Sequence, residues 1–232
     1  MKFIKAENYE ELSKIAGDIV INQIKEKPDT ILGLATGSSP IGTYKYMANS
    51  GVDFSKVKSV NLDEYVGLDG NNEQSYRYFM NKNLFNHINI DKNNTFVPNG
   101  AAKDLDEEAR LYDERIEAFG GIDLQILGIG IDGHIGFNEP DDVFVAPTHV
   151  VSLDPSTIEA NSRFFASKDE VPRKAITMGM KAIMTAKKIV LVANGKNKKE
   201  ILEKAMYGEI TPKVPASILQ LHNDITVIYS EE

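Results

Sequence analysis

Ile122-Asp123-Leu124-Gln125-Ile126-Leu127-Gly128-Ile129-Gly130 runs directly into Ile131-Asp132-Gly133-His134. Its apolar residues are nearly continuous rather than alternating, the pattern of a strand buried on both faces of a parallel sheet. The strand ends on glycines and a polar turn, so it delivers chemically capable residues at its carboxyl end. Ile31-Leu32-Gly33-Leu34-Ala35 repeats the arrangement and passes through Thr36-Gly37-Ser38-Ser39-Pro40 into a helix. Residues 57–62 pass into Asp63-Glu64-Tyr65, which reads as an acidic turn. Residues 188–193 pass into Asn194-Gly195-Lys196-Asn197-Lys198 and a further helix.

Around these units, residues 3–5 read as a first strand. Asn8 caps a helix in which Leu12, Ile15, Ile19 and Ile24 recur at roughly helical spacing. An aromatic helix is expected over 76–85 and an acidic one over 104–119, with further strands at 148–153 and 225–229. Strands alternating with helices predict an α/β fold, an open, mainly parallel sheet with helices on both faces. No repeat, low-complexity tract or linker divides the chain, so residues 1–232 are expected to form a single domain. Ligands of such sheets bind beyond the carboxyl ends of the strands. Four strand ends here carry polar or glycine-rich sequence: 36–39, 63–64, 132–139 and 195–198.

Composition narrows the function. With 42% hydrophobic and 26% charged residues, the chain has ordinary globular composition and material for a sizeable core. A formal charge of −8 argues against nucleic acid as a partner, which needs a basic stripe to displace counterions. The absence of cysteine excludes disulfides and thiolate-bound zinc and fits a reducing compartment. No run approaches the ~20 apolar residues of a membrane helix, and the start has no signal-type segment, so a cytoplasmic location without membrane association is expected.

Asp132, His134 and Glu139 bring two carboxylates and an imidazole within eight residues at a strand end. Acids flanking a histidine can hold its tautomer and raise its basicity, as acid–base work near neutral pH requires. The plainer alternative makes Asp132-Gly133 a turn and His134 a helix cap. Gly128, Gly130 and Gly133 match a bare dinucleotide-loop spacing. No acid follows about 20 residues on in a next strand, which rejects that reading. Asp63 and Glu64 both follow a buried strand, where burial raises a carboxylate's pKa toward a base's useful range; the residues alone do not choose between them. Thr36, Gly37, Ser38 and Ser39 open a helix with hydroxyls and backbone N–H groups, an anion site. Without a Gly-Lys-Ser/Thr ending it suits one phosphate better than three. Arg163 and Lys198 could add charged donors, although such residues are more often surface cations. His87, His149 and His222 read as structural. No metal-binding pattern occurs, and no Gly-x-Ser-x-Gly elbow supports a serine nucleophile.

Leu34-Ala35-Thr36-Gly37-Ser38-Ser39-Pro40, Asn61-Leu62-Asp63-Glu64-Tyr65-Val66-Gly67-Leu68, Gly130 through Pro140 and Asn161-Ser162-Arg163-Phe164-Phe165 together resemble the glucosamine-6-phosphate deaminase family, over nearly the whole chain. The resemblance implies the Rossmann-like sheet shared by deaminases and 6-phosphogluconolactonases. It implies conversion of glucosamine 6-phosphate to fructose 6-phosphate and ammonia, as in amino-sugar breakdown, with neither metal nor organic cofactor. Asp63 would be the base moving a proton from C2 to C1, and His134 would open the sugar ring, oriented by Asp132 and Glu139. Thr36–Ser39, Arg163 and Lys198 would bind the phosphate. Allosteric members continue past the last strand and carry serine and basic residues where this chain has Asp141-Asp142-Val143-Phe144, His149 and Val151. A monomer or small homo-oligomer without that activation is therefore expected.

Two rivals remain. 6-Phosphogluconolactonases share an Asp-Gly-His motif, but their residues after the histidine resemble Thr-Ala-Ser-Leu-Phe-Pro rather than Ile135-Gly136-Phe137-Asn138-Glu139-Pro140. A sugar-phosphate-sensing regulator could use the same architecture but would need a DNA-binding module, for which the residues before Ile31 leave little room. Residues 153–172 are the candidate lid.

Overall fold

In the computed structural model, which describes residues 1–162, 165 and 167–232, β1 (Lys2–Lys5) leads to α1 (Tyr9–Glu26), whose first turn the Asn8 side chain caps by accepting from Glu11 N. There follow β2 (Ile31–Leu34), α2 (Ile41–Ala48), β3 (Lys58–Asn61), β4 (Asp63–Tyr65), α3 (Tyr76–Asn83), β5 (Thr95–Phe96) and α4 (Leu105–Ala118). The second half contains β6 (Leu124–Leu127), β7 (His149–Ser152), α5 (Pro155–Ser162), β8 (Lys174–Thr177), α6 (Met180–Met184), β9 (Lys188–Asn194), α7 (Lys199–Tyr207) and β10 (Ile225–Ser230). No helix is long and apolar enough to cross a membrane among the described residues.

Seven strands form one sheet in the order β1-β10-β9-β6-β2-β3-β5, and every pairing in it is parallel. β2 and β6 are buried throughout and β9 is buried from Ile189 to Ala193, which is why their sequences read as unbroken apolar runs. The chain goes from β2 to β3 on one side and from β6 to β9 on the other, so the switch point lies between β2 and β6. A crevice opens there, at the carboxyl ends of the strands.

Three details differ from the sequence reading. Asp63-Glu64-Tyr65 is a strand, not a turn, and with β7 and β8 it builds a second, antiparallel sheet in the order β4-β8-β7. The expected strand over 148–153 belongs to that small sheet rather than to the parallel one. The long run at 122–130 is extended only over Leu124–Leu127; beyond it the chain already turns into the site. The smaller sheet carries its own apolar cluster of Tyr65, Phe137, Leu153, Ile158, Val171 and Ala175, distinct from the core around the large sheet.

Candidate active site

The crevice is a cleft of about 620 Å³. Its floor is made by the ends of β2, β6 and β9, and one wall by β4 and α3. Thr36, Gly37, Ser38, Ser39, Asp63, Asp132, His134 and Lys198 all line it. Glu139 stands behind His134, and Arg163 lies outside the described residues.

After β6 the chain makes no helix, so His134 is not a helix cap. Gly130 N donates to the His134 carbonyl at 2.9 Å and Gly133 N to the Gly130 carbonyl at 3.2 Å, closing a tight loop. Asp132 Oδ1 accepts from His134 N at 3.1 Å and lies 2.7 Å from the imidazole Nδ1. Glu139 Oε2 is 3.5 Å from the same nitrogen, and its Oε1 accepts from the Thr157 hydroxyl of α5 at 2.7 Å. Burial works against a charged imidazole, but Asp132 and Glu139 outweigh it and hold His134 up at about 9, so it is protonated at neutral pH. Asp132 is held at about 2, its burial overcome by His134. These three side chains offer donor atoms within 4.8 Å of one another, a set that could hold a cation. A metal there would have to displace the proton that the two carboxylates hold on the imidazole.

Strand alternation separates the two neighbouring acids. Asp63 lines the cleft, whereas the Glu64 carboxylate takes backbone hydrogen bonds from Tyr65 N and Tyr76 N at 2.9 Å and from Arg77 N at 3.0 Å. Glu64 thus ties the first turn of α3 to β4, and α3 brings Tyr76 and Phe79 into the cleft wall. Asp63 is 5% exposed; burial, then the Glu64 charge, push it up to about 8, against the pull of His134. Glu64 is itself raised to about 7 by burial, less than it would be without those N–H groups.

At the other end, Gly37 takes a positive φ of 94° that lets the loop from β2 turn into α2. The Tyr9 hydroxyl of α1 fixes this loop by donating to the Ser38 carbonyl at 2.9 Å and accepting from Gly42 N at 2.8 Å. Lys198, in the turn before α7, donates to the Ile129 carbonyl at 2.7 Å, which holds its ammonium at the cleft floor. Hydroxyls, a helix start and a cation facing one pocket can take a phosphate.

The sequence reading missed several lining residues, among them Tyr76 and Asn194. Asn194 could have been found, because it is the polar residue that closes an apolar run just before Gly195; in the structure its Oδ1 is buried without a protein partner. Tyr76 could not, because only the Glu64 contact swings α3 over the cleft. Of the other histidines, His222 Nε2 meets the Ala186 carbonyl at 2.7 Å, His87 Nε2 the Lys82 carbonyl at 2.8 Å and His149 Nδ1 the Pro147 carbonyl at 3.0 Å. None of the three lines the cleft.

A family model described as glucosamine-6-phosphate isomerases/6-phosphogluconolactonase matches residues 5–228. The glucosamine-6-phosphate deaminase of Lachnoclostridium phytofermentans is 62% identical over 98% of this chain and 98% of its own length. The deaminase of Thermoanaerobacter sp. is 59% identical over 100% of this chain and 93% of its own. A solved monomeric glucosamine-6-phosphate deaminase superposes with a TM-score of 0.97 at 46% identity, covering 99% of this chain and 97% of that one. The 6-phosphogluconolactonase of Thermotoga maritima, at 19% identity and a TM-score of 0.74 over 100% of this chain and 99% of its own, shares the fold.

Proposed function

The chain belongs to the family of glucosamine-6-phosphate isomerases and 6-phosphogluconolactonases, and on that premise we propose that Asp63 and His134 divide the chemistry of its cleft between them. The reaction is the isomerisation and deamination of glucosamine 6-phosphate to fructose 6-phosphate and ammonia. The observation that supports the division of labour is that a buried, proton-hungry carboxylate and a charged imidazole line one cleft.

His134, charged by Asp132 and Glu139, gives its proton to the ring oxygen and takes the proton of the anomeric hydroxyl as the C1–O bond to the ring oxygen breaks. The aldehyde so formed makes the C2 proton acidic. Asp63 removes that proton while His134 gives the C1 oxygen the proton it took from the anomeric hydroxyl, and an enolamine forms. Asp63 then returns the proton to C1, leaving an imine at C2. Water adds to the imine and ammonia leaves, giving the ketone. A base with a raised pKa is the stronger proton acceptor, which is what burial of Asp63 supplies. Thr36, Gly37, Ser38, Ser39 and Lys198 grip the phosphate from the floor, with Arg163 as a further donor, and so hold C1 and C2 between the two groups.

Because the cleft draws on residues from Ala35 to Lys198, the chain works as one sugar-phosphate domain. We take it to act as a monomer, as its solved relative does. Within the segment 153–172, of which residues 163, 164 and 166 lie outside the described residues, Leu153, Ile158 and Val171 pack with Tyr65 and Phe137, which supports the segment as the lid that keeps bulk water from the enolamine.

The test is to incubate the protein with glucosamine 6-phosphate and a chelator, following ammonium and fructose 6-phosphate together. Equal release of both, lost in Asp63→Asn, is expected. Hydrolysis of 6-phosphogluconolactone with no release of either product would overturn the reading.

A further inference from the structure

Asn138 and Thr177 take no part in the steps above, yet both are buried, one in the loop that carries His134 and the other on the strand paired with Asp63. The Asn138 Nδ2 donates to the Ile135 carbonyl and to the Met178 carbonyl, each at 2.9 Å. The Thr177 hydroxyl accepts from Phe137 N at 3.0 Å. Ile135 and Phe137 belong to the loop that carries His134 and Glu139. Thr177 ends β8 and faces Asp63 across the β4–β8 pairing, and Met178 N donates to the Leu62 carbonyl at 2.6 Å, extending that pairing beside the base. Gly136 fills the gap: a Cβ there would lie 3.0 Å from Thr177 Oγ1 and 3.4 Å from Asp63 Oδ2.

Resting on the roles given to Asp63 and His134, we propose that Thr177 and Asn138 are positioning residues that tie the loop of His134 to the strand paired with Asp63 and so set the spacing of base and imidazole. The two groups act on adjacent parts of one sugar, and a displacement of either by a fraction of an ångström takes it out of reach of its proton. Two carbonyls on a single amide nitrogen also fix the side-chain orientation of Asn138, since only the NH₂ end can donate to both. The link therefore has a defined length and direction. Ordinary apolar packing at these positions would give burial without either.

Thr177→Val keeps the shape and removes the acceptor, Thr177→Ser keeps the hydroxyl, and Asn138→Ala cuts the second tie without touching the first. The kcat and KM for glucosamine 6-phosphate and the thermal midpoint are measured for each, beside the parent and Asp63→Asn. The expected result is a kcat reduced about 10- to 100-fold in Thr177→Val and Asn138→Ala, with KM changed by less than about threefold and the serine variant close to the parent. Parental kcat in Thr177→Val and Asn138→Ala would overturn the inference, as would a serine variant as slow as the valine one. A loss of kcat that merely follows the loss of folded protein would also overturn it. If Thr177→Val does not fold, Asn138→Ala and Thr177→Ser decide alone. An inactive parent would mark the failure of the underlying reading, whereas an active parent, an inactive Asp63→Asn and an unaffected Thr177→Val would mark the failure of this inference only.

Discussion

The imidazole of His134 occupies the volume that a side chain on Gly130 would need: a Cβ built there collides with Cε1, Nδ1 and Nε2 of the ring. Gly130 also donates to the His134 carbonyl, so backbone and ring of the histidine are both set by this one residue.

Gly130→Ala is therefore expected to push the ring away from Asp132 while leaving the sheet intact. A displacement of about 1 Å lowers kcat by roughly 100-fold. Steady-state kinetics beside a circular-dichroism melt checks this, and a parental kcat in a well-folded variant would show that the ring has another place to stand.

The acid and base values set the pH profile. Asp63 must be ionised, so kcat/KM falls as pH drops through about 8, and His134 must be charged, so it falls again as pH rises through about 9. The Glu64 charge raises Asp63, so Glu64→Gln moves the acid limb to lower pH, even though the amide cannot accept all three backbone N–H groups of the carboxylate. Initial rates across the range in parent and variant decide the matter. An acid limb that stays in place or moves up contradicts the pairing of these two acids.

Much of this was legible in the sequence, and the limits have physical causes. The parallel strands at Ile31–Leu34, Leu124–Leu127 and Lys188–Asn194 betrayed themselves because burial on both faces demands unbroken apolar residues. The small sheet did not. Asp63-Glu64-Tyr65 is too short and polar to read as a strand, and Lys174–Thr177, its partner, lies more than a hundred residues away. Without that strand the sequence could not choose between Asp63 and Glu64, because only the alternation along β4 sends one acid into the cleft and the other to α3. The loop of His134 was found from residue types alone. Its link to β8 through Asn138 was not, since nothing in Phe137-Asn138-Glu139-Pro140 says where the amide reaches.

Stability is anchored at the amino ends of the strands, opposite the cleft. Asp123, 3% exposed at the amino end of β6, meets the ammonium groups of Lys27 and Lys187 at 2.7 Å each and accepts from Ile31 N at 2.8 Å. Burial alone would raise its pKa, but Lys187 and Lys27 lead the groups that hold it at about 2. Because the folded value lies below that of an unfolded aspartate, the stabilisation is complete above roughly pH 4 and is lost as pH falls toward 2. Asp123→Asn is expected to cost about 2–3 kcal/mol at pH 7, and much less near pH 2, with kcat unchanged. Urea unfolding at both pH values tests it; an equal cost at the two would assign the effect to packing.

The division of labour between Asp63 and His134 is tested most directly by following glucosamine 6-phosphate in D₂O by proton NMR with parent and Asp63→Asn. Two rates are read: interconversion of the anomers, which reports ring opening, and loss of the C2 proton. Asp63→Asn is expected still to speed anomer interconversion, while its consumption of the C2 proton falls by roughly 10²- to 10⁴-fold. Loss of the C2 proton at the parental rate in Asp63→Asn, or loss of both activities together in a folded variant, would contradict it.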